Sequence, residues 1–176
     1  MRTNLLTGLL AASSLVCAVA LTGCGGTAAS SAGNPTVSPT SGAGLFMTSL
    51  IREKATGQYG LAWKSLHPFH QRIAPRGEYV HCENLTAFPG RLLKVSVVRV
   101  QSEPVLIAGE QRTVSSKAVT IRVSVDYPGI DKPVTLTDTY HAVAVAGHWT
   151  WILTPGNFDQ YRSGHCPGAA PVTPKA

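Results

Sequence analysis

Ala118-Val119-Thr120-Ile121-Arg122-Val123-Ser124-Val125-Asp126-Tyr127 is the stretch that decides the fold class. Val119, Ile121, Val123, Val125 and Tyr127 alternate with Thr120, Arg122, Ser124 and Asp126. A strict period of two puts the first set on one face and the second on the other, the pattern of a half-buried strand. Pro128-Gly129 follows as a turn. Val134 to Val145 then reads as the next strand, Ala146-Gly147 as a second turn, and His148 to Leu153 as a last strand with Trp149, Trp151 and Leu153 on one face. Turns this short join antiparallel neighbours, so the three strands form a meander.

Upstream, the period-two pattern starts at Leu92. Val95, Val97, Val98 and Val100 slip phase at Val97-Val98, which predicts a bulge. Before Leu92 the period is helical. Leu45 to Ala55 carries Phe46, Met47, Leu50 and Ile51 on one stripe. Gln58 to Leu66 carries Tyr59, Ala62, Trp63 and Leu66 at helical spacing, and His67-Pro68 stops it. A third, short helix is expected from Arg76 to Asn84, with Tyr79, Cys82 and Glu83 sharing a face. Helices first and an antiparallel sheet of about four strands second make an α+β domain, with the helices packed on one sheet face.

The chain begins with a different kind of segment. Leu5 to Leu21 is apolar and uncharged, and it ends at Leu21-Thr22-Gly23-Cys24. A leader closing on small residues and a cysteine is the layout of a bacterial lipoprotein signal. The expectation is removal of residues 1–23 and lipidation of Cys24, leaving the protein lipid-anchored on the extracytoplasmic face of the cell membrane. An ordinary leader cut after Ala18-Val19-Ala20 and an uncut anchor are the plainer alternatives. The run is shorter and more polar than the roughly 20 apolar residues a span needs. Residues 24–43 are Gly, Ser, Thr, Ala and Pro with hardly a large side chain, and read as the lipidated cysteine and its flexible tether. Residues 167–176 read as a disordered tail. One domain is expected between them, over residues 44–166.

Charge and cysteine count narrow the class. The 176 residues carry a formal net charge of +6, but only 14% of them are charged and the basic ones are scattered. No basic run or basic helix face exists, so nucleic acid is not an expected partner. Cys17 leaves with the leader and Cys24 takes the lipid. Cys82 and Cys166 remain, in a compartment where disulfides persist, and are expected to pair. Neither sits in a CxxC pattern, so a metal or thiol site has little support.

Gln58-Tyr59-Gly60-Leu61-Ala62-Trp63-Lys64-Ser65-Leu66-His67-Pro68-Phe69-His70-Gln71, then Tyr79-Val80-His81-Cys82, and the closing Trp149-Thr150-Trp151-Ile152-Leu153 with Tyr161 and Cys166 carry a resemblance. Over about residues 44–166 the chain resembles the NTF2-like (cystatin-like, cone-shaped α+β) superfamily, and more narrowly small actinobacterial-type lipoproteins of unassigned function. The resemblance implies a strongly curved sheet wrapped around the helices, with a pocket at the open end. It does not imply an activity, because the superfamily includes isomerase- and cyclase-type enzymes, binding proteins and accessory domains of cell-wall enzymes.

Few residues carry chemistry. Asp138 and Tyr140, two apart on one strand, share a face and are the pair the chain offers for isomerase-type acid–base work, although no motif identifies them as such a site and no catalytic role is carried over to them; His141 points to the other face. The plainer expectation for Asp138, among Thr135, Thr137 and Thr139, is a solvated face. His67 and His70 flank Pro68-Phe69. Three apart, they would share a helix face, but Pro68 breaks that helix and no third ligand is placed beside them, His81 aside; no metal and no cofactor are expected. The plainer reading has His67 capping a helix C-terminus and His70 hydrogen-bonded to backbone. Trp63, His67, His70 and Tyr140 are the expected pocket lining, should a pocket exist, although Trp63, Trp149 and Trp151 suit a core as well. The reading that results is a non-catalytic envelope module for a small apolar ligand or an unknown envelope protein. A ketosteroid-isomerase- or polyketide-cyclase-type pocket enzyme and an accessory factor of wall or transport assembly stand behind it.

Overall fold

The structure, a computed structural model, describes residues 42–168. The leader, Cys24, the tether up to residue 41 and the tail from residue 169 lie outside the described residues.

Four helices precede a four-stranded sheet and a fifth follows it. α1 spans Gly42–Ala55, α2 Tyr59–Lys64, α3 Pro68–Ile73 and α4 Arg76–Leu85. β1 spans Arg91–Leu106, β2 Thr113–Asp126, β3 Val134–Val145 and β4 His148–Trp151, and α5 spans Pro155–Arg162. The sheet is an antiparallel meander in the order β1-β2-β3-β4. The domain is therefore α+β, with helices packed on an open antiparallel sheet. α1 starts at Gly42, inside the stretch assigned to the tether. None of the described helices is long and apolar enough to cross a membrane.

The strand pattern translates directly into pairing. Val119 and Ile121 are buried in the core shared with the helices, Val125 is buried near Gly90, and Arg122 between them is exposed. The register of β1 against β2 slips between Val97 and Arg99, where the valine run changes phase, and again between Leu92 and Lys94. β1 runs on through Pro104. An edge strand tolerates a proline there because one side of its backbone has no ladder bond to lose. Val145 pairs with His148 across Ala146-Gly147, both at positive φ (49° and 81°), the two-residue turn that follows the twist of the strands.

Two helices were not anticipated. α2 ends at Lys64, short of the expected Leu66: Ser65 caps it, residues 65–67 turn to β4, and His67, ahead of Pro68, is extended at ψ 133°. The same proline then opens α3, since its missing N–H and fixed φ suit a first helical position. α5 begins the same way at Pro155, with the Thr154 hydroxyl accepting the Asn157 N–H at 3.3 Å. Eight residues are too few for a helical period to stand out, yet Phe158 and Tyr161, three apart, are both buried.

The core lies between the helices and the sheet. Met47, Leu50, Ala62, Tyr79, Ile121 and Trp151 are among its buried members. Trp151 is its hub. Its indole Nε1–H donates to Ala62 O at 2.7 Å. Its backbone N–H donates to Ser65 O and its carbonyl accepts from His67 N–H, at 3.0 and 2.8 Å. Residues 65–67 thus lie along the outer edge of β4 and cover it. Cys82, buried on α4, is bonded to Cys166 beyond α5, with 5.0 Å between their Cα atoms. The bond ties the end of the domain to α4.

Candidate functional site

A large cavity, about 550 Å³, opens between the helices and the sheet. It exists because the elements around it diverge. The C-terminal half of α1 supplies Ile51, Lys54 and Ala55, the start of α2 supplies Tyr59, and α4 supplies Glu83. The connection before β1 contributes Phe88 and Pro89. The floor is Ile121 and Val123 of β2 beside Leu136 of β3. A mostly apolar wall with a few polar groups on it is the composition of a small-molecule site.

Asp138 and Tyr140 stand on this wall. Tyr140 pairs with Val119 and Asp138 with Ile121. Directly paired residues share a sheet face, so both belong to the helix-bearing face. Asp138 is exposed to solvent, as the plainer expectation has it, but on the helix-bearing face of the sheet and not on the outer one. One Asp138 oxygen accepts the Thr139 N–H at 2.7 Å. Burial, and then the charge and hydrogen bond of Asp138, push the Tyr140 hydroxyl up to about 12. Tyr140 is un-ionised at neutral pH.

A second polar pair lies deeper. Lys54 Nζ is 3.0 Å from Glu83 Oε1 and 5.1 Å from the centre of the Trp151 ring. Tyr79 and Tyr161, buried close by, have hydroxyls raised above the ordinary phenol range, first by desolvation and then by the Glu83 charge. Sequence reasoning passed over Lys54, Tyr59, Glu83 and Phe88. Glu83 left a signal, being a carboxylate on the same helix face as Tyr79 and Cys82. The others belong to elements that only the folded chain brings together.

The remaining expected lining residues lie elsewhere. Trp63 does not reach the large cavity; it packs against the core and its Nε1–H donates to Ala74 O at 2.8 Å. His67 caps no helix C-terminus. It precedes α3, and its ring lines a separate cavity of about 500 Å³ with Arg72 and Arg112. His67 Nδ1 is buried without a hydrogen-bond partner, and burial lowers the pKa of the ring.

His70 is fully buried and bonded to backbone at both ring nitrogens. Nε2–H donates to Ala108 O at 3.1 Å, and Nδ1 accepts the Leu153 N–H at 2.9 Å. The second bond assigns the tautomer, because only a bare Nδ1 can accept. Burial lowers its pKa, so the neutral ring persists. Of the four expected lining residues, Tyr140 alone reaches the large cavity.

His141 lies on the opposite sheet face. Its Nδ1 is 3.1 Å from Ser116 Oγ and its Nε2 is 3.5 Å from Glu103 Oε1. This outlines a serine–histidine–carboxylate row, but Ser116 is only 3% exposed and its hydroxyl donates to Glu103 O at 2.8 Å. An enclosed hydroxyl whose proton is already placed is not a nucleophile awaiting a substrate. Among the described residues no three His, Cys, Asp or Glu side chains are grouped to hold a metal ion. No known family model matches the chain, and no curated protein matches it.

Proposed function

We propose that this protein is a lipid-anchored lipoprotein on the extracytoplasmic face of the cell membrane, and that its domain is an NTF2-like cone that binds a small apolar molecule without transforming it. One observation carries the binding: the open cavity of about 550 Å³, walled by Ile51, Tyr59, Phe88, Ile121, Val123 and Leu136. Its aromatic and aliphatic walls leave it free for an occupant, so a small ligand is favoured over an envelope protein as the partner. The order of helices and meander supports the cone. The Leu-Thr-Gly-Cys24 ending of an apolar leader supports the anchor. Two acyl chains on one cysteine hold a protein firmly at a membrane, where one would be marginal.

An isomerase- or cyclase-type enzyme is the second reading, favoured by Asp138 and Tyr140 on one cavity wall. Such chemistry asks a carboxylate to take a proton from the substrate while a separate donor holds the oxyanion. Here the carboxylate is open to water, and its charge bears on the tyrosine beside it, which is not a donor set apart for an oxyanion. The pair is better suited to contacting a ligand than to moving its protons.

Two measurements test the proposal. A neutral apolar dye such as N-phenyl-1-naphthylamine is expected to bind the full-length protein with enhanced fluorescence. Ala55→Phe, which places a ring into the cavity from α1, is expected to weaken the dye roughly tenfold at unchanged melting temperature. Equal dye binding by that variant would reject the cavity as the site. For the anchor, Cys24→Ala is expected to abolish the lipid mass increment and leave the chain unprocessed or released. Membrane fractionation with the mass shift intact would reject lipidation.

A further inference from the structure

The polar groups of the cavity are unequally satisfied. Lys54 is the cation on its wall, and it is already matched: its ammonium sits 3.0 Å from Glu83 and faces the rings of Trp151 and Tyr79 at 5.1 and 5.9 Å. Asp138 has no such match. It receives the Thr139 N–H and interacts with the Tyr140 hydroxyl, both neutral donors. Among the described residues no lysine, arginine or histidine forms an ion pair with it. The cavity therefore keeps one uncompensated negative charge, on a chain whose formal net charge is +6. Three aromatic rings, those of Tyr59, Phe88 and Tyr140, line the same cavity. A carboxylate beside neutral aromatic faces is the surrounding that stabilises an organic ammonium, by charge and by the ring quadrupoles together.

We propose that the ligand of this cavity is a cationic amphiphile: an apolar body seated on Ile121, Val123 and Leu136, with an ammonium head at Asp138 and the rings of Tyr59, Phe88 and Tyr140. The inference rests on the cavity being a small-molecule site and adds the charge of the occupant. A fatty anion fits the same apolar volume but meets Asp138 with like charge. The Lys54 ammonium, held by Glu83 and two rings, is not free to receive it.

The experiment uses the full-length chain with the Cys82–Cys166 bond intact and Cys24→Ala, so that no attached acyl chain competes. Dodecyltrimethylammonium and dodecanoate, both below micellar concentration, are titrated against bound N-phenyl-1-naphthylamine. Asp138 is partly open to water, so attraction for one head and repulsion of the other are each worth a few-fold and multiply to roughly tenfold. Dodecyltrimethylammonium is thus expected to displace the dye at about one-tenth the concentration that dodecanoate needs. Asp138→Asn, at an exposed position, is expected to keep the melting temperature and, with each displacement read against the dye affinity of that variant itself, to shrink the preference to within about threefold. Equal or better displacement by dodecanoate overturns the inference and leaves the apolar site standing. So does a cationic preference that survives Asp138→Asn. Failure of the dye to bind at all removes the small-molecule site and this inference with it.

Discussion

Replacing both Cys82 and Cys166 by serine is expected to cost about 5 kcal/mol of unfolding free energy. The bond spans 84 residues of sequence, from α4 to the end of the domain. In the chain-entropy description, closing a loop of that length removes enough freedom from the unfolded chain to stabilise the fold by about 4.5 kcal/mol at 25 °C. A serine hydroxyl where the buried Cys82 sulfur now packs adds a further local cost. Typical domain stabilities are about 5–15 kcal/mol, so the loss is a large share of the whole. Equilibrium denaturation of the oxidised protein, the reduced protein and the double variant gives the number. The reduced protein should fall well below the oxidised form, and the double variant somewhat lower still by the local cost of the buried hydroxyl. A difference under about 1 kcal/mol would mean that the segment after α5 is held by packing alone. Phe158 and Tyr161, both buried in the core, are the residues that would have to hold it.

Several parts of this fold were legible because local chemistry and tertiary environment agree. From Val119 to Val125 of β2 every second residue is β-branched, and this set lies on the face that meets the helices. Ala146-Gly147 supplies a two-residue turn between strands already marked by their own pattern. The slip at Val97-Val98 needs an extra residue in the ladder, and the register shifts there. The proline-led helices are a different case. In the sequence Pro68 marks the end of one helix, and its second role as the start of the next goes with α3 packing against α5, which no local pattern reveals. The cavity was half legible. Strand alternation places Asp138 and Tyr140 on one face whatever that face meets. That the face meets Lys54, Tyr59 and Phe88 depends on how α1, α2 and the segment before β1 diverge. The two short histidine neighbours show the same limit. The proline between His67 and His70 rules out a shared helical face, but only the tertiary fold gives one a bonded core site and the other a bare nitrogen.

His70→Ala is expected to be the most damaging single substitution, lowering stability by about 3–5 kcal/mol. The imidazole joins three parts of the chain that share no secondary structure. It sits on α3, donates to Ala108 O in the bend between β1 and β2, and accepts from Leu153 N–H just after β4. The ring also lies 5.3 Å from Phe158 of α5. Alanine leaves a buried carbonyl and a buried N–H without partners and opens a void among these elements. The bend cannot easily close over it, because Gly109 at φ +80° already brings the backbone against Phe158 and Phe69. His70→Asn, which keeps an acceptor near Nδ1, and His70→Gln, which keeps a donor near Nε2, should each recover part of the loss. Recovery by neither would show that ring packing, not hydrogen bonding, sets the cost. The same residue gives stability a direction in pH. Burial lowers the folded-state pKa of His70, and of His67 beside it, below the ordinary 6.5. The unfolded chain therefore binds protons near pH 6.5 that the folded chain refuses. Their contribution is complete above pH 6.5 and is lost as the pH falls from there toward the depressed folded values. Urea melts across that window should show stability falling on acidification, with a shallower slope in His70→Gln because only His67 remains to resist protonation. A wild-type protein equally stable at both ends of the window would mean that His70 accepts a proton without breaking its bond to Leu153, which a ring donating from both nitrogens cannot do.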